Sequence, residues 1–344
     1  MASEIQIKQL DADSNHRWDA YVEQAPEATF FHKSGWQTVL ERAFGHTSHY
    51  FYAEQDGNIV GVLPLAEVKS WLFGHALIST PFCVYGGPVG DSQTVIDGLI
   101  DAACQLADTL RVDHLELRNQ KRLRENWPCK DLYFTFRRSL SDNEEENLKA
   151  IPRKQRAVVR KALELEMDSS FDEDIGPFYQ AYSASVRNLG TPVFSKKYFR
   201  ILKQVFQEHC DVLSVRKDGQ MVSSVMSFYF RDQVLPYYGG GSILARSLKG
   251  NDLMYWRLMC SASERGYRVF DYGRSKAGTG AFSFKKNWGF EPQALHYEYY
   301  LVTAKDMPEL NPTNPKYALM IKCWKKLPLK ISQWLGPFLS KYLG

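Results

Sequence analysis

Phe194-Ser195-Lys196-Lys197-Tyr198-Phe199 opens an amphipathic stretch, and Phe31-His32-Lys33-Ser34-Gly35-Trp36 opens a similar one 163 positions earlier. Three further landmarks recur in the same order. Asp56-Gly57 returns as Asp218-Gly219, Tyr85-Gly86-Gly87 as Tyr238-Gly239-Gly240, and Leu115-Glu116-Leu117 as Phe270-Asp271-Tyr272, at offsets of 162, 153 and 155. A period this long marks a duplicated domain, because solenoid repeats run about 20–50 residues. Duplication also predicts a cleft between the halves, a common place for a ligand.

Working outward, the second half reads as a defined series of elements. Phe199, Leu202, Val205 and Phe206 fall on one helical face. Asp211 to Lys217 and Gln220 to Phe230 are strand-like runs joined by Asp218-Gly219, a favoured two-residue hairpin turn. A strand over Val234 to Gly241 follows, then a helix opened by Gly250-Asn251-Asp252 and closed at Gly266. Arg268 to Tyr272 predicts a strand, Phe282 to Asn287 a short helix, and Ala294 to Val302 a last strand. The first half runs in parallel: a helix Gly35 to Ala43, strands near Tyr50 to Ala53 and Ile59 to Val68, a strand into Tyr85-Gly86-Gly87, a helix Val95 to Leu110 and a strand His114 to Arg118. This is an α/β or α+β layer with helices against a mixed sheet. No strand is followed by GxGxxG, so it is not a dinucleotide-binding unit.

The expected domains are 1–140 and 166–303, joined by a basic helical junction over 141–165 and followed by a basic tail over 304–344. A length of 344 residues gives each half room for its own core. The charge of +4 is too small to argue for DNA. Cys83, Cys104, Cys129, Cys210, Cys260 and Cys323 have no metal-ligand spacing. No metal is therefore expected. The polar start Met1-Ala2-Ser3-Glu4 is unlike a signal peptide, and no apolar run approaches the ~18 residues of a spanning helix. A cytoplasmic location follows as the expectation.

Ala281-Phe282-Ser283-Phe284-Lys285-Lys286-Asn287-Trp288-Gly289-Phe290 follows the strand through the glycine-rich loop Gly273-Arg274-Ser275-Lys276-Ala277-Gly278-Thr279-Gly280. Phe-Lys-x-x-aromatic-Gly after such a loop, inside a twinned α/β chain, resembles the Fem aminoacyltransferases, which carry two acyltransferase domains of the GNAT type. The resemblance covers about Phe30 to Tyr300. Arg187-Asn188-Leu189-Gly190-Thr191-Pro192-Val193-Phe194 and Asp271-Tyr272-Gly273-Arg274-Ser275-Lys276 look most like the FemAB-like proteins of exosortase and PEP-CTERM exopolysaccharide systems. The resemblance implies duplicated GNAT-like domains and transfer of an amino acid from aminoacyl-tRNA to an amine of a peptidoglycan or exopolysaccharide precursor. It implies no metal or redox cofactor.

Two departures bear on the donor. No heptad-patterned helical hairpin, by which some Fem enzymes grip tRNA, interrupts either half. An acetyl-CoA enzyme of this fold would carry Arg-x-x-Gly-x-Gly/Ala, so that backbone N–H groups meet the pyrophosphate. Here Arg246-Ser247-Leu248-Lys249-Gly250-Asn251-Asp252 has other spacing and ends in a carboxylate. Aminoacyl-tRNA is the expected donor, acyl-CoA acting on an amino sugar the alternative, and a non-catalytic polysaccharide assembly factor the reading from another class.

Acyl transfer to an amine requires loss of the amine's proton, stabilisation of the oxyanion and protonation of the leaving group. The resemblance implies that Lys285 is the functional lysine, next to Phe284, and Asp271 is the candidate for orienting or deprotonating the amine. The plain alternatives are a solvated helix lysine and a loop cap. Arg153, Arg156 and Arg160 recur at i, i+3 and i+7 with Lys154 beside them, a face suited to phosphate. Tyr238, Gly240, Asn251, Arg274, Ser275, Lys276 and Thr279 complete the candidate binding residues. Lys316 to Gly344 holds six lysines, two tryptophans and no acidic residue, so an anionic membrane surface is a candidate partner alongside the phosphate-linked or lipid-linked acceptor and tRNA. The alternative for this tail is a helix pair packed on the second domain, in short pieces because of Pro328 and Pro337.

Overall fold

The computed structural model describes residues 4–71, 73–308 and 315–343, with only the backbone of 315–318. Within these, the chain forms two compact units, residues 1–133, 294–310 and 341–344 in the first and 134–293 and 311–340 in the second. Of the expected tail, 309–314 and 344 and the side chain of Lys316 lie outside the described residues.

The first unit holds two sheets. Gln6–Gln9, Phe51–Gln55, Asn58–Leu63 and Val89–Gly90 make one, in that order, all antiparallel. The second runs Thr47–Ser48, Leu65–Ser70, Gly74–Ser79, His114–Asn119, His296–Leu301, Cys129–Lys130. Gly74–Ser79 and His114–Asn119 are parallel, with Ala76 opposite His114. Ser92 caps the helix Gln93–Leu110 through the Val95 N–H, and Arg111 ends it at a positive φ. Its buried Val95, Leu99, Ile100, Ala103 and Ala107 meet Leu63, Leu77, Leu115 and Leu117.

The second unit is one mixed sheet in the order Asp168–Phe171, Cys210–Lys217, Gln220–Phe230, Gln233–Gly241, Val269–Asp271, Tyr133–Ser139, Ser275–Lys276. Its long hairpin turns at Asp218-Gly219 with φ of 50° and 75°, the positive pair that a two-residue turn of this kind needs. Asp56-Gly57 does the same in the first unit, with φ of 51° and 76°. The helix Gly250–Glu264 lays Leu253, Met254, Trp256, Leu258 and Met259 into a core with Val222, Val225, Phe270 and Trp288. Fully burying a side chain of this kind stabilises by roughly 1.5–3 kcal/mol.

Four expectations need correction. The Ala294 to Val302 run, assigned to the second half, forms the strand His296–Leu301 in the first unit, antiparallel to His114–Asn119. Conversely, Tyr133–Ser139 pairs with Val269–Asp271, so the boundary falls near 133 and not at 140. The junction over 141–165 is two helices, Glu144–Ala150 and Arg153–Leu163, broken at Pro152, and its Ile151, Val159 and Ala162 are part of the second unit's core. Finally, Tyr85-Gly86-Gly87 is a buried loop with Gly86 at φ 155°, whereas Tyr238-Gly239-Gly240 lies in a strand. Pro81 and Pro88 bracket the former and have no N–H for a ladder.

Candidate active site

Two parallel strands of the second unit part company early. Gln233 faces Val269 and Val234 faces Phe270, and the pairing stops there. The cause is local. On the other side, Ser227 faces Pro236 while Met226 faces Tyr238, so Tyr237 is the extra residue of a bulge. Pro236 has no N–H to give and the bulge bends the strand. Residues 235–241 therefore run on beside one neighbour only, at the carboxyl ends of parallel strands, where ligands of α/β sheets bind.

At that end the chain leaves Asp271 into a turn gripped from two sides. The Asp271 carboxylate, buried, accepts the Gly273 N–H at 2.7 Å and the Thr135 hydroxyl at 3.3 Å, and lies 3.4 Å from Arg137 Nε. Lys285 reaches the same turn from the helix Gly280–Asn287, which Thr279 caps through the Phe282 N–H. Its ammonium donates to the carbonyls of Tyr272 (2.8 Å), Gly273 (2.9 Å) and Arg274 (3.1 Å). Only 8% of Lys285 is exposed. Burial lowers its pKa to about 7, with the Asp271 carboxylate pulling the other way. An ammonium has three hydrogens, and three carbonyls take them. The residue expected to face a reacting oxygen is thus, in this arrangement, fully engaged with backbone.

The remaining candidates divide. Thr279 donates its hydroxyl to the Lys276 carbonyl at 2.7 Å, and Phe284 is half-buried against Tyr255, Tyr272 and Trp288. Ser275 and Tyr272 are buried with hydroxyl oxygens that have no partner among the described residues. Arg274 and Lys276 are half-buried on the same loop. So Asp271, Arg274, Ser275, Lys276, Thr279, Phe284 and Lys285 come together around one turn.

Others have structural work. Tyr238 is buried with its hydroxyl 2.7 Å from that of Tyr198, among Tyr182, Phe194 and Phe199. A Cβ on Gly240 would lie 2.6 Å from the Tyr182 Cα, so this glycine admits the helix Ile175–Leu189. Arg156 turns onto the carbonyls of Lys149 (2.8 Å) and Ile151 (3.1 Å), closing the end of Glu144–Ala150. Its withdrawal leaves Arg153, Lys154 and Arg160 exposed on the helix. Asn251 is exposed in the first turn of Gly250–Glu264, and beside it Gln155 donates to the Asp252 carboxylate, whose pKa burial raises.

Sequence reading missed a cavity of about 230 Å³ in the first unit, lined by Glu27, His32, Tyr85, Gly87, Asn119 and Lys121 among others. His32 Nδ1 accepts the Thr29 N–H at 3.1 Å, so the ring proton sits on Nε2 and goes to the Gly87 carbonyl at 2.8 Å. Asn119 donates to the buried Glu298, which also accepts the N–H groups of Leu123 (2.9 Å) and Arg124 (2.7 Å). The Asn119 Oδ1 is buried on the cavity wall with no partner among the described residues. Arg118 donates to Glu116 at 2.8 Å and to the Cys83 carbonyl at 2.7 Å. The available signal was His114-x-Glu116-x-Arg118, a polar face of period two on a strand flanked by leucines.

The two units carry the GNAT fold in duplicate. The sequence pattern of the acetyltransferase (GNAT) domain matches residues 147–286. Among solved structures, FemX superposes with a TM-score of 0.67 at 15% identity, over 92% of this chain and 100% of that one. The C-terminal domain of a putative lysylphosphatidylglycerol synthetase from Agrobacterium fabrum gives 0.55 at 13% identity, over 91% and 96%. A tandem GNAT protein from the clavulanic acid biosynthesis pathway gives 0.55 at 12%, over 88% and 100%. At these identities the likeness shows the fold. No curated protein matches the sequence.

Proposed function

We propose that this protein is an acyltransferase that forms an amide on an amine of a phosphate-linked or lipid-linked cell-wall or exopolysaccharide precursor. The observation that carries the reading is the turn held by Lys285 and Asp271 at the open end of the parted strands. In this reading the acyl carbonyl of the donor enters where residues 235–241 have lost their neighbour, and the amine attacks it there. Lys285 fixes the turn and keeps a positive charge next to the developing oxyanion, an effect of roughly 3 kcal/mol when pre-aimed in a dry site. The proton that the attacking amine loses leaves on the departing oxygen or sulfur, so the step balances without a proton from Lys285. Asp271 holds the turn and raises the affinity of Lys285 for its own proton, which keeps the charge in place. Arg153, Lys154, Arg160, Arg274 and Lys276 are assigned to phosphate groups.

The Fem resemblance supports aminoacyl-tRNA as donor. The GNAT acetyltransferase match over 147–286 favours acyl-CoA as the second reading, against which stands Asp252 in the first turn of Gly250–Glu264. Mass spectrometry of polysaccharide and wall precursors from cells with and without the protein tests the proposal. A mass difference of one acyl or aminoacyl unit is expected, and its size names the donor class; no difference favours the assembly factor.

A further inference from the structure

The last helix is built inside out. Leu329–Ser340 turns Ser332, Gly336 and Ser340 inward, i, i+4 and i+8 along one face. A Cβ on Gly336 would lie 2.7 Å from the Val193 carbonyl oxygen, Ser340 donates to that carbonyl at 3.2 Å, and Gln333 donates to Ser183 at 2.7 Å. Small residues bring the helix close to the body of the second unit, and three of the large ones face away from it. Ile331, Trp334 and Phe338 are exposed, Trp334 at 68%, with the Trp334 and Phe338 rings 6.1 Å apart. Pro315–Lys325 buries Trp324 and adds Leu319, at 72%, and Met320 to the exposed apolar residues. A soluble helix ordinarily places these residue types the other way round.

The charge around this apolar face has one sign. Lys322, Lys325, Lys326 and Lys330 are exposed, and none pairs with a carboxylate among the described residues. Residues 316–344 contain no Asp or Glu at all. A second copy meeting this face through a two-fold axis would set lysine against lysine. The complementary occupant is apolar inside and anionic at its rim.

We propose that the two helices dock the protein on an anionic lipid bilayer, with Ile331, Trp334 and Phe338 in the headgroup and acyl boundary and the lysines on the lipid phosphates. Trp with flanking Lys is the composition of interfacial anchors. No described helix is long or apolar enough to cross the membrane, so the protein lies on the surface through this face. The inference rests on the helices alone and is independent of the transferase reading.

Flotation of the full chain with unilamellar vesicles tests it, using phosphatidylcholine alone and with about 30% phosphatidylglycerol at about 0.1 M salt, a range where surface charge still acts over ~10 Å. Binding to the anionic vesicles and little to the neutral ones is expected. Trp334→Ser with Phe338→Ser should weaken partitioning about tenfold or more, and Lys326→Glu with Lys330→Glu by at least about fivefold per lysine. Circular dichroism checks that each variant folds. Trp71→Ser, which removes a side chain 99% exposed in the first unit, should leave binding unchanged. The inference is overturned if the wild type ignores anionic vesicles, if Trp71→Ser abolishes binding while the Trp334/Phe338 variant keeps it, or if light scattering shows a dimer that those two substitutions dissociate without any vesicle binding.

Discussion

Lys285 and Asp271 hold one turn from its two sides: the ammonium takes the carbonyls of Tyr272, Gly273 and Arg274, and the carboxylate takes the Gly273 N–H at 2.7 Å. The pair spends its charge on backbone geometry at the mouth of the parted strands. Removing either partner should therefore change the shape of the site as well as its electrostatics.

Lys285→Met leaves three carbonyls without their donor, and a buried acceptor stripped of its partner costs about 1–3 kcal/mol. Against that, the variant is spared the burial of a charge. Folding linkage separates the two. The Lys285 pKa is about 7 folded against an ordinary 10.5, so between those values the unfolded chain binds more protons and wild-type stability rises with pH relative to the methionine variant. Below about 7 the difference should be flat. Urea titrations of both proteins from pH 6 to 10 measure it, and a wild-type advantage that falls over this window would refute the assignment.

The pH dependence of transfer follows from the same group. The charge of Lys285 stands next to the developing oxyanion, so the rate falls as that charge is lost above about pH 7. Lys285→Arg keeps the charge and should remove that descending limb, at a lower maximal rate because a planar guanidinium cannot reproduce three converging N–H bonds. Initial rates over pH 5.5 to 9 for the two proteins decide it.

Asp271→Asn keeps an oxygen for the Gly273 N–H and loses the charge that raises the Lys285 pKa. The descending limb should shift to lower pH, with a folded protein of nearly unchanged melting temperature. A variant that is inactive at every pH, with no shift, would point to direct proton abstraction by Asp271.

In the first unit, a Cβ on Gly87 would come 1.9 Å from the Asn119 Oδ1, and Asn119 cannot retreat because Glu298 holds its other end. Gly87→Ala should destabilise by about 1–3 kcal/mol, as overpacking does. Asn119→Ala leaves room for that Cβ, so Gly87→Ala should cost less in an Asn119→Ala background. Urea titrations of the single and double variants measure the difference.

What the sequence made legible was short-range. Asp218-Gly219 and Asp56-Gly57 dictate their hairpins through backbone conformation alone, and the Gly250–Glu264 helix follows from the spacing of its apolar residues. The glycine-rich loop and Lys285 were found by motif, and the turn that unites them with Asp271 needed only neighbouring residues. The rest depended on distant partners. A strand's residues say that it pairs and not with whom, so nothing local tells His296–Leu301 to join His114–Asn119. Tyr238 looked like a ligand residue until Tyr198, 40 positions away, supplied its partner. The first-unit cavity arises where Gly87 meets Asn119 and Glu298, three segments no local pattern connects.

The most direct test is the mass of an amine-bearing sugar-phosphate acceptor after incubation with purified protein and either charged tRNA or acyl-CoA. The account predicts an increment of one aminoacyl or acyl unit with the wild type and at least about a hundredfold slower formation with folded Lys285→Met, the scale of losing a pre-aimed charge. An increment formed equally fast by Lys285→Met would contradict it.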